Sequence, residues 1–265
     1  MNTTEQSYRQ RIIDLQNELQ KKERELECCK KAKDQFIDIA SHDLKAPMRK
    51  LRTFSERLVE KSEGLNKEAI VYVERIEKTA VAMQSLVDGL TALSNIGTEF
   101  DFDSCDLNDT VREVLIDFSD LIKKEQARID VENLPTIDAD KGLIKEVFKN
   151  LLDNALKFQT KEKIAEIKVS SEELAEKEKL KFNLPVNKVY FQINFADNGI
   201  GFNQENAEEI LKPFVRLNGK SSYAGNGFGL AICKKIIDMH SGIFLATGKE
   251  NDGSVFLLIL PQIHQ

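Results

Sequence analysis

The chain has 265 residues and a net charge of −6, with 41% hydrophobic and 31% charged residues. These values are typical of a folded, helix-rich protein of one large or two modest domains and argue against a disordered chain. The weak negative charge gives no reason to expect nucleic acid as a partner. No apolar run approaches the roughly 20 residues of a membrane-spanning helix, and no signal-peptide pattern is present, so we expect no membrane segment in this chain. The four cysteines show neither metal-ligand spacing nor a compact disulfide framework, so we expect a cytoplasmic location, for this chain alone or as the cytoplasmic part of a larger or membrane-anchored protein.

The first 40 residues carry a heptad pattern without glycine or proline. Apolar residues follow the three-and-four alternation of a coiled coil, for example at Ile12, Leu15, Leu19, Leu26 and Phe36. We therefore predict a coiled coil over residues 1–33. The alternative is one amphipathic helix packed on its own domain. Residues 5–62 would then form a rod of about 87 Å, and a rod of that length needs a partner along it.

The helical pattern continues through the segment SHDLKAP, residues 41–47. Pro47 removes a backbone donor, so the helix should bend just beyond His42. An apolar seam runs along this helix at Leu44, Pro47, Leu51, Phe54 and Leu58. His42 lies off the seam, and we expect its imidazole to face solvent, next in sequence to Asp43.

A glycine-containing turn at residues 61–66 separates this helix from a second one. The second helix repeats the apolar spacing at Val73, Ile76, Ala80, Met83, Val87 and Leu90. Two such helices joined by a short loop form an antiparallel hairpin, which covers both apolar stripes only when two hairpins associate. We predict a homodimeric four-helix bundle through residues 36–95, within a domain that spans residues 34–95.

The character of the sequence changes after residues 96–105, a polar segment that we predict to be a hinge. Residues 106–265 combine predicted helices at 107–127, 141–158 and 231–240 with predicted strands at 128–131, 166–170, 188–195, 242–247 and 254–260. Asn108 or Asp109 is the expected cap of the first helix, and Asp140 that of the second. Because helices and strands do not alternate strictly, we expect an α+β domain with a mixed sheet, helices on one face, and an exposed charged connector at residues 172–185.

Three polar residues share one stripe of the second of these helices. Asn150, Asn154 and Lys157 follow one another at i, i+4 and i+7. Amide oxygens suit the all-oxygen shell of Mg²⁺, and a lysine suits a phosphate group. The alternative is an ordinary polar helix surface.

A turn after a predicted strand is a second candidate. Gly199 and Gly201 let the backbone approach a flat ligand, and the carboxylate of Asp197 can accept a hydrogen bond from an exocyclic amine. Phe214 and Arg216 follow as an apolar contact and a phosphate partner. A turn of this composition is also often only a turn.

Three glycines precede the last predicted helix, at Gly225, Gly227 and Gly229. Free N–H groups and the helix dipole at such a position favour phosphate. The spacing and context fit neither a dinucleotide-binding strand–helix–strand unit nor a P-loop. On their own, these glycines are a weak signal.

Taken together and in this order, SHDLKAP, NLLDNALKF, DNGIGF, PFVRL and GNGFGLAICKKII resemble the sensor histidine kinases of two-component signalling. The resemblance covers residues 34–261. It implies a hairpin for dimerisation and phosphotransfer, followed by a Bergerat-type α/β-sandwich that binds ATP, a fold shared with gyrase, mismatch-repair and chaperone ATPases. It further implies that a homodimer phosphorylates one of its own histidines and passes the phosphoryl group to an aspartate on the receiver domain of a response regulator.

The resemblance also implies roles for individual residues. His42 matches the phosphoacceptor and Asp43 the acid that takes or polarises a proton of the attacking imidazole. Asn154 matches the Mg²⁺ ligand, and Asp197 matches the acid that reads adenine. The other implied nucleotide contacts are Asn150, Lys157, Phe158, Gly199, Gly201, Phe214, Arg216, Gly225, Gly227, Gly229 and Leu230, with residues 215–226 as a lid.

One departure from the family pattern is Ala46, where many relatives carry Asn or Thr. Alanine offers no hydrogen bond to a water molecule, so we predict weak phosphatase activity toward the phosphorylated partner.

Two other functions are compatible with the same ATP-binding fold. A plain ATPase or a Ser/Thr kinase would lack a SHDLKAP segment on a dimeric hairpin, as present here. A pseudokinase scaffold that dimerises and binds ATP as a structural ligand would lack His42, Asn154 or Asp197, and all three residues are present.

Overall fold

The computed structural model describes residues 22, 44–45, 48–58, 67–96, 101–160, 163–215, 217 and 227–263. The chain divides into two compact units, Met1–Asn95 and Ile96–Gln265. The predicted coiled coil lies outside the described residues, apart from Lys22, which is helical. The site residues His42, Asp43, Arg216 and Gly225, together with Ala46 and Pro47, also lie outside them. In the described part of the chain, no helix combines the length and the apolar character that crossing a membrane requires.

The first unit contains two helical stretches in contact. Residues 44–45 and 48–58 are helical, and helix α1 spans Lys67–Asn95. Lys45 Nζ lies 3.1 Å from Asp88 Oδ1 of α1, which places the start of the first stretch beside the C-terminal half of α1, as in an antiparallel hairpin. Among the described residues of this unit, the buried ones are Met48 and Ser55 on the first stretch and Val73, Ala80, Val87 and Ser94, which repeat every seventh position on α1.

The predicted apolar seam is not the surface that joins these two helices. Leu44, Leu51, Phe54 and Leu58 are 47–58% exposed, and Ile76 and Met83 of α1 are similarly exposed. The sequence pattern therefore merged two surfaces, one that is buried within the chain and one that is left uncovered.

The second unit is an α+β domain with a mixed sheet, which confirms the predicted fold class. Its strands are β1 (Asp103–Asp106), β2 (Arg128–Val131), β3 (Thr136–Ala139), β4 (Glu166–Glu173), β5 (Tyr190–Asp197), β6 (Ile243–Lys249) and β7 (Gly253–Pro261). The main sheet has the order β2-β4-β5-β7-β6, with β2 parallel to β4 and every other pair antiparallel. Strands β1 and β3 form a separate antiparallel pair. The helices are α2 (Leu107–Asp117), α3 (Ser119–Glu125), α4 (Lys141–Lys157), α5 (Glu176–Lys181) and α6 (Gly229–Met239).

The two faces of the main sheet differ, because side chains alternate along each strand: one is the apolar face of the core, and the other is mixed, with polar residues beside the buried Tyr190 and Ile259. On β5, Ile193 and Phe195 are buried, whereas Gln192 and Asn194 bond to each other on the other face with 3.2 Å between Nε2 and Oδ1. The helices supply matching side chains for the core, with Phe148, Leu151, Leu152, Ile236 and Ile237 all buried to 2% exposure or less. The core therefore lies between the apolar face of the sheet and helices α4 and α6.

Several local predictions need correction. The helix predicted at 107–127 is interrupted at Phe118, and its cap is Asp106, whose Oδ1 accepts from the amide of Asn108 at 2.8 Å. Asp140 caps α4 as predicted and accepts from the amide of Leu143 at 3.0 Å.

The two segments predicted to be irregular also contain regular structure. Residues 103–105, placed in the hinge by the sequence, belong to β1. The connector at 172–185 is largely exposed, as predicted, but it contains α5 and is held to the domain at Leu174, Phe182 and Leu184, which pack with Tyr190 and Ile259.

Candidate functional site

Helix α4 provides one wall of the candidate site. Asn150 Nδ2 donates to the main-chain oxygen of Glu146 at 2.8 Å and to its Oε1 at 3.0 Å, which fixes the amide orientation. Asn154 lies one turn further along the same face and is half-buried. Among the described residues, none hydrogen-bonds to the Asn154 side chain, so its amide oxygen is available to a ligand.

The N-terminus of α6 lies against the Asn150 end of this wall. A Cβ atom at Gly229 would lie 2.9 Å from Asn150 Oδ1, so the start of α6 lies directly against the Asn150 side chain. The N-cap residue of α6 is Phe228, whose side chain cannot cap, and within the part of the chain that the structure describes no side chain caps the first amides of the helix, including that of Leu230. Amides at such a position can bind an anion.

The loop after β5 lies against the other end of α4. The main-chain oxygen of Phe158 accepts from the amide of Ile200 at 2.9 Å, and a Cβ atom at Gly199 would lie 2.4 Å from the same oxygen. Gly201 has a φ of +61°, a conformation that favours glycine. Lys157 Nζ lies 5.3 Å from the centre of the Phe158 ring, which holds this ammonium group at the end of α4.

Asp197 ends β5 beside this loop in a largely buried position. Its Oδ1 accepts from the amide of Gly199 at 2.8 Å, and Ser254, its register partner on β7, donates to the carboxylate from both its amide and its hydroxyl. Burial raises the pKa of Asp197 to about 6, and the hydrogen bonds from Gly199 and Ser254 offset part of that rise. At neutral pH the carboxylate is therefore ionised and able to accept a hydrogen bond from a ligand.

The two ends of the predicted lid meet in the structure. The amide of Phe214 donates to the oxygen of Gly227 at 3.0 Å, and the Phe214 ring meets Phe228 edge-on with 4.7 Å between centroids. Phe214 and Gly227 both have positive φ, at 68° and 70°. A Cβ atom at Gly227 would lie 2.9 Å from the oxygen of Val215, which again requires glycine.

The described site residues thus form one continuous set of contacts along α4. Asn150 meets Gly229 at one end, Phe158 meets Gly199 at the other, and Asn154 lies between them. Sequence reasoning missed Ser254 and Glu146, which hold Asp197 and Asn150. Ser254 becomes a neighbour of Asp197 only through the β5–β7 register, whereas Glu146 precedes Asn150 by one helical turn, a spacing visible in the sequence.

The donor set of the site suits a magnesium ion that is bound mainly through phosphates. The described residues contain no group of three or more His, Cys, Asp or Glu side chains that could hold a metal by themselves. Mg²⁺ usually takes one or two protein oxygens and completes its shell with phosphates and water, and the amide oxygen of Asn154 fits that role.

Two protein-family models match the chain. The model described as "His Kinase A (phospho-acceptor) domain" matches residues 32–99, and the model described as "Histidine kinase-, DNA gyrase B-, and HSP90-like ATPase" matches residues 139–264. The chain belongs to the sensor histidine kinases. The second model also describes DNA gyrase B- and HSP90-like ATPases, so the match to the phospho-acceptor domain is what points to the histidine kinases among them.

Relatives of this kinase include two phytochromes. The phytochrome-like protein Cph1 of Synechocystis sp. is 29% identical over 94% of this chain and 32% of its own length. Cyanobacterial phytochrome B of Nostoc sp. is 30% identical over 95% of this chain and 32% of its own length. The adaptive-response sensory kinase SasA of Gloeothece citriformis is 26% identical over 96% of this chain and 65% of its own length. The chain thus spans about a third of the length of these phytochromes.

Solved structures share the fold of this kinase. Full-length ShkA, crystallised with AMPPNP, aligns with a TM-score of 0.60 at 22% identity, over 87% of this chain and 46% of ShkA. The histidine kinase ThkA, crystallised with the response regulator protein TrrA, aligns with a TM-score of 0.55 at 23% identity, over 86% of this chain and 61% of ThkA. At these identities the likeness shows the fold alone.

Proposed function

We propose that this chain uses ATP to phosphorylate His42 and then passes the phosphoryl group to an aspartate on the receiver domain of a response regulator. The observation that carries the proposal is that Asn150, in the middle of α4, contacts the N-terminus of α6, while Phe158, at the C-terminal end of α4, contacts the loop after Asp197. This arrangement offers anion-binding groups and a hydrogen-bond acceptor at two separate points along one helix, as a nucleotide requires.

The adenine end of the nucleotide would lie at the loop after β5. The Asp197 carboxylate accepts from the exocyclic amine of adenine, while Gly199 and Gly201 let the backbone approach the flat base. Ser254 and the amide of Gly199 hold the carboxylate in place. The Phe158 side chain, next to this loop, would pack beside the adenine end of the nucleotide.

The phosphates would lie between α4 and the N-terminus of α6. Asn154 supplies a ligand to Mg²⁺, which when bound neutralises charge on the phosphates, and Asn150 contacts the same end of the nucleotide. Lys157, at the Phe158 end of α4, would reach the phosphates with its long side chain. The remaining contacts are those of the lid and the helix that follows it, at Phe214, Arg216, Gly225, Gly227, Gly229 and Leu230.

The chemical step needs a neutral imidazole at His42. A ring nitrogen attacks the γ-phosphorus of ATP, the N–P bond forms as the bond to the β-phosphate oxygen breaks, and ADP leaves. Asp43 takes or polarises the proton of the imidazole. Residues at i and i+1 do not face each other on a straight helix, so the bend that the sequence predicts at Pro47, or a suitable rotamer, must bring the two side chains together. Positioning and charge neutralisation supply most of the rate enhancement.

We propose the following domain organisation for this reaction. Residues 1–33 form a coiled coil, residues 34–95 the dimerisation and phosphotransfer hairpin, residues 96–105 the linker, and residues 106–265 the ATP-binding domain. The uncovered apolar residues of the hairpin, among them Leu51 and Phe54, support a homodimer, because a second hairpin would cover them. The reaction belongs in the cytoplasm, where ATP is available.

The phosphotransfer chemistry also supports a proposal about Ala46. A side chain at this position would lie one turn from His42 on the same face, and alanine cannot hold a water against a phosphorylated aspartate. The kinase should therefore remove phosphate from its response regulator only slowly.

The proposal is tested by incubating the chain with Mg²⁺ and γ-labelled ATP. Wild type is compared with His42→Gln and Asn154→Ala, and with Asp153→Ala as a matched control on the exposed side of α4. We expect acid-labile, base-stable label in wild type and in the control, and no label in the other two variants. Binding of AMPPNP, measured in parallel, should persist in His42→Gln.

Two results would contradict the proposal. Label that survives in His42→Gln would place the phosphoacceptor elsewhere. Wild-type chain that binds AMPPNP but takes up no label would favour the scaffold function, in which ATP is only a structural ligand.

A further inference from the structure

A buried histidine outside the nucleotide site connects three segments of the second unit. His240 directly follows α6 and is only 1% exposed. Its Nδ1 lies 2.8 Å from the main-chain oxygen of Ile236, and its Nε2 accepts from the amide of Asp140 at 3.1 Å. Because a carbonyl oxygen only accepts and an amide only donates, Nδ1 carries the proton and Nε2 does not. The imidazole is therefore neutral and fixed in one orientation.

Asp140 extends this contact to α4 and to the segment that enters the domain. Its Oδ1 caps α4 through the amide of Leu143, and its Oδ2 accepts from the amide of Asp101 at 3.3 Å. The ring of Phe102 meets the His240 imidazole edge-on, with 5.1 Å between ring centres. Asp101 and Phe102 are thus attached to the same buried group that joins α6 to α4.

We propose that His240, together with Asp140 and Phe102, forms an anchor that fixes where the linker leaves the ATP-binding domain. His240 is then a positioning residue for the phosphorylation of His42. It acts by holding the linker and does not itself touch ATP. This role rests on the proposed function. The predicted hinge spans residues 96–105. Because the anchor attaches the chain to the domain from Asp101 onward, only residues 96–100 of this hinge precede the attached part.

The physical reason lies in the freedom of the linker. Phosphoryl transfer requires the γ-phosphate to be presented to the imidazole in line, and its rate falls when the tethered groups explore more arrangements. Each released linker residue adds about 3.5 Å of reach. Release of Asp101 and Phe102 would therefore enlarge the volume that the domain explores without altering the groups that bind ATP.

The test uses two substitutions that separate the hydrogen bonds of His240. His240→Gln can place an amide oxygen near the position of Nε2 and keep an acceptor for the amide of Asp140. His240→Asn is shorter, keeps a donor for the oxygen of Ile236, and leaves the Asp140 amide without an acceptor. Phe102→Ala removes the half-buried ring that contacts His240 without changing any residue of α6. Phe102→Leu is the conservative variant, because it keeps a large apolar side chain at this position.

The measurements are made on the full chain. The rate of autophosphorylation at saturating ATP, the KM for ATP, and hydrogen exchange of the amides of residues 101–106 are compared between wild type and the variants. For His240→Asn and Phe102→Ala we expect faster exchange, a saturating rate lower by about tenfold, and a KM for ATP within about twofold of wild type. His240→Gln and Phe102→Leu should recover most of the rate.

The outcomes that overturn the anchor are distinct from failure of the proposed function. Unchanged exchange at residues 101–106 in both His240→Asn and Phe102→Ala would show that the linker is not held there. Faster exchange with an unchanged saturating rate would show that the anchor does not position the reaction. A higher KM with an unchanged saturating rate would place the effect in the nucleotide site. If wild type takes up no label, the proposed function fails, and the exchange comparison still decides whether the anchor exists.

Discussion

At the scale of single residues, Asp197 illustrates how a binding role lowers stability. Its pKa rises from an ordinary 3.8 to about 6 because the carboxyl group is buried. The folded state therefore binds the proton more tightly than the unfolded state does. The folded state is therefore most favoured when Asp197 is protonated: this contribution to the free energy of unfolding is fully present below pH 3.8 and is lost as the pH rises to about 6. Above that pH, the buried carboxylate lowers stability by roughly 3 kcal/mol.

We predict that Asp197→Asn stabilises the ligand-free chain and weakens nucleotide binding. The variant lacks the desolvated charge, so its melting temperature at pH 8 should exceed that of wild type, and the gap should narrow toward pH 5 as wild-type Asp197 becomes protonated. Its affinity for AMPPNP should fall by about tenfold, because an amide nitrogen would face the adenine amine.

Thermal unfolding and calorimetric titration across this pH range provide the measurements for Asp197→Asn. Asp153→Asn removes the same charge from an exposed position and serves as the control. Equal melting temperatures of Asp197→Asn and wild type at pH 8 would show that the carboxylate is not destabilising. Unchanged affinity would remove Asp197 from the nucleotide site.

Sequence reasoning succeeded at this scale where spacing is local. Asn150, Asn154 and Lys157 share a helix face, and that face is visible from their spacing alone. Ser254 and His240 could not be found in this way. Their roles depend on contacts with Asp197 and Asp140, which come from distant elements and become neighbours only when the sheet and helices have packed.

At the scale of elements, the turn between β6 and β7 supports the loop after β5. The amide of Asn251 donates to the oxygen of Ile200 at 2.7 Å, and a Cβ atom at Gly201 would lie 1.9 Å from the oxygen of Lys249. On the other side, a Cβ atom at Gly253 would lie 1.9 Å from the oxygen of Asp197. Backbone therefore packs directly on backbone, and a displacement of the turn would displace the loop.

We predict that Gly201→Ala destabilises the ATP-binding domain by at least about 2 kcal/mol, because the new methyl group meets a carbonyl at a strained φ. Nucleotide affinity should fall as well, since the loop must move. Asn251→Gly is the control, because glycine accepts the φ of 64° and keeps the amide, and its effect should stay within about 1 kcal/mol. Denaturant unfolding and AMPPNP titration measure both effects. Wild-type affinity in Gly201→Ala would refute the proposed support.

The elements that the sequence missed are short or polar. Strand β1 contains one apolar residue, Cys105, and β3 one large apolar residue, Ile137, so neither shows the alternation that Ile129 and Val131 give to β2. Helix α5 has six residues within a charged connector, and its apolar anchors are few. The longer helix α4 and strand β7 were predicted well, because each presents a long buried face, whereas β4 continues three residues beyond its predicted end at residue 170.

At the scale of the whole molecule, the hairpin has an apolar stripe that its own chain does not cover. Leu44, Leu51, Phe54 and Leu58 leave an apolar stripe uncovered, while Met48 and Ser55 face α1. A periodic sequence shows that an apolar stripe exists, but it does not show whether the same chain or another chain covers it. The prediction therefore did not separate the surface buried within the hairpin from the surface left uncovered. Exposed apolar stripes of this kind are typical of association surfaces.

We predict that Phe54→Glu converts a dimer of this chain into a monomer, because a carboxylate buried between two hairpins would be desolvated without a partner. Arg49→Gln lowers the net charge by the same amount on the opposite, exposed side of the helix and should leave the dimer intact. Light scattering after size exclusion measures the mass of each variant, and circular dichroism verifies that both remain helical. A dimeric Phe54→Glu variant, or a monomeric wild type at micromolar concentration, would show that another molecule covers the stripe.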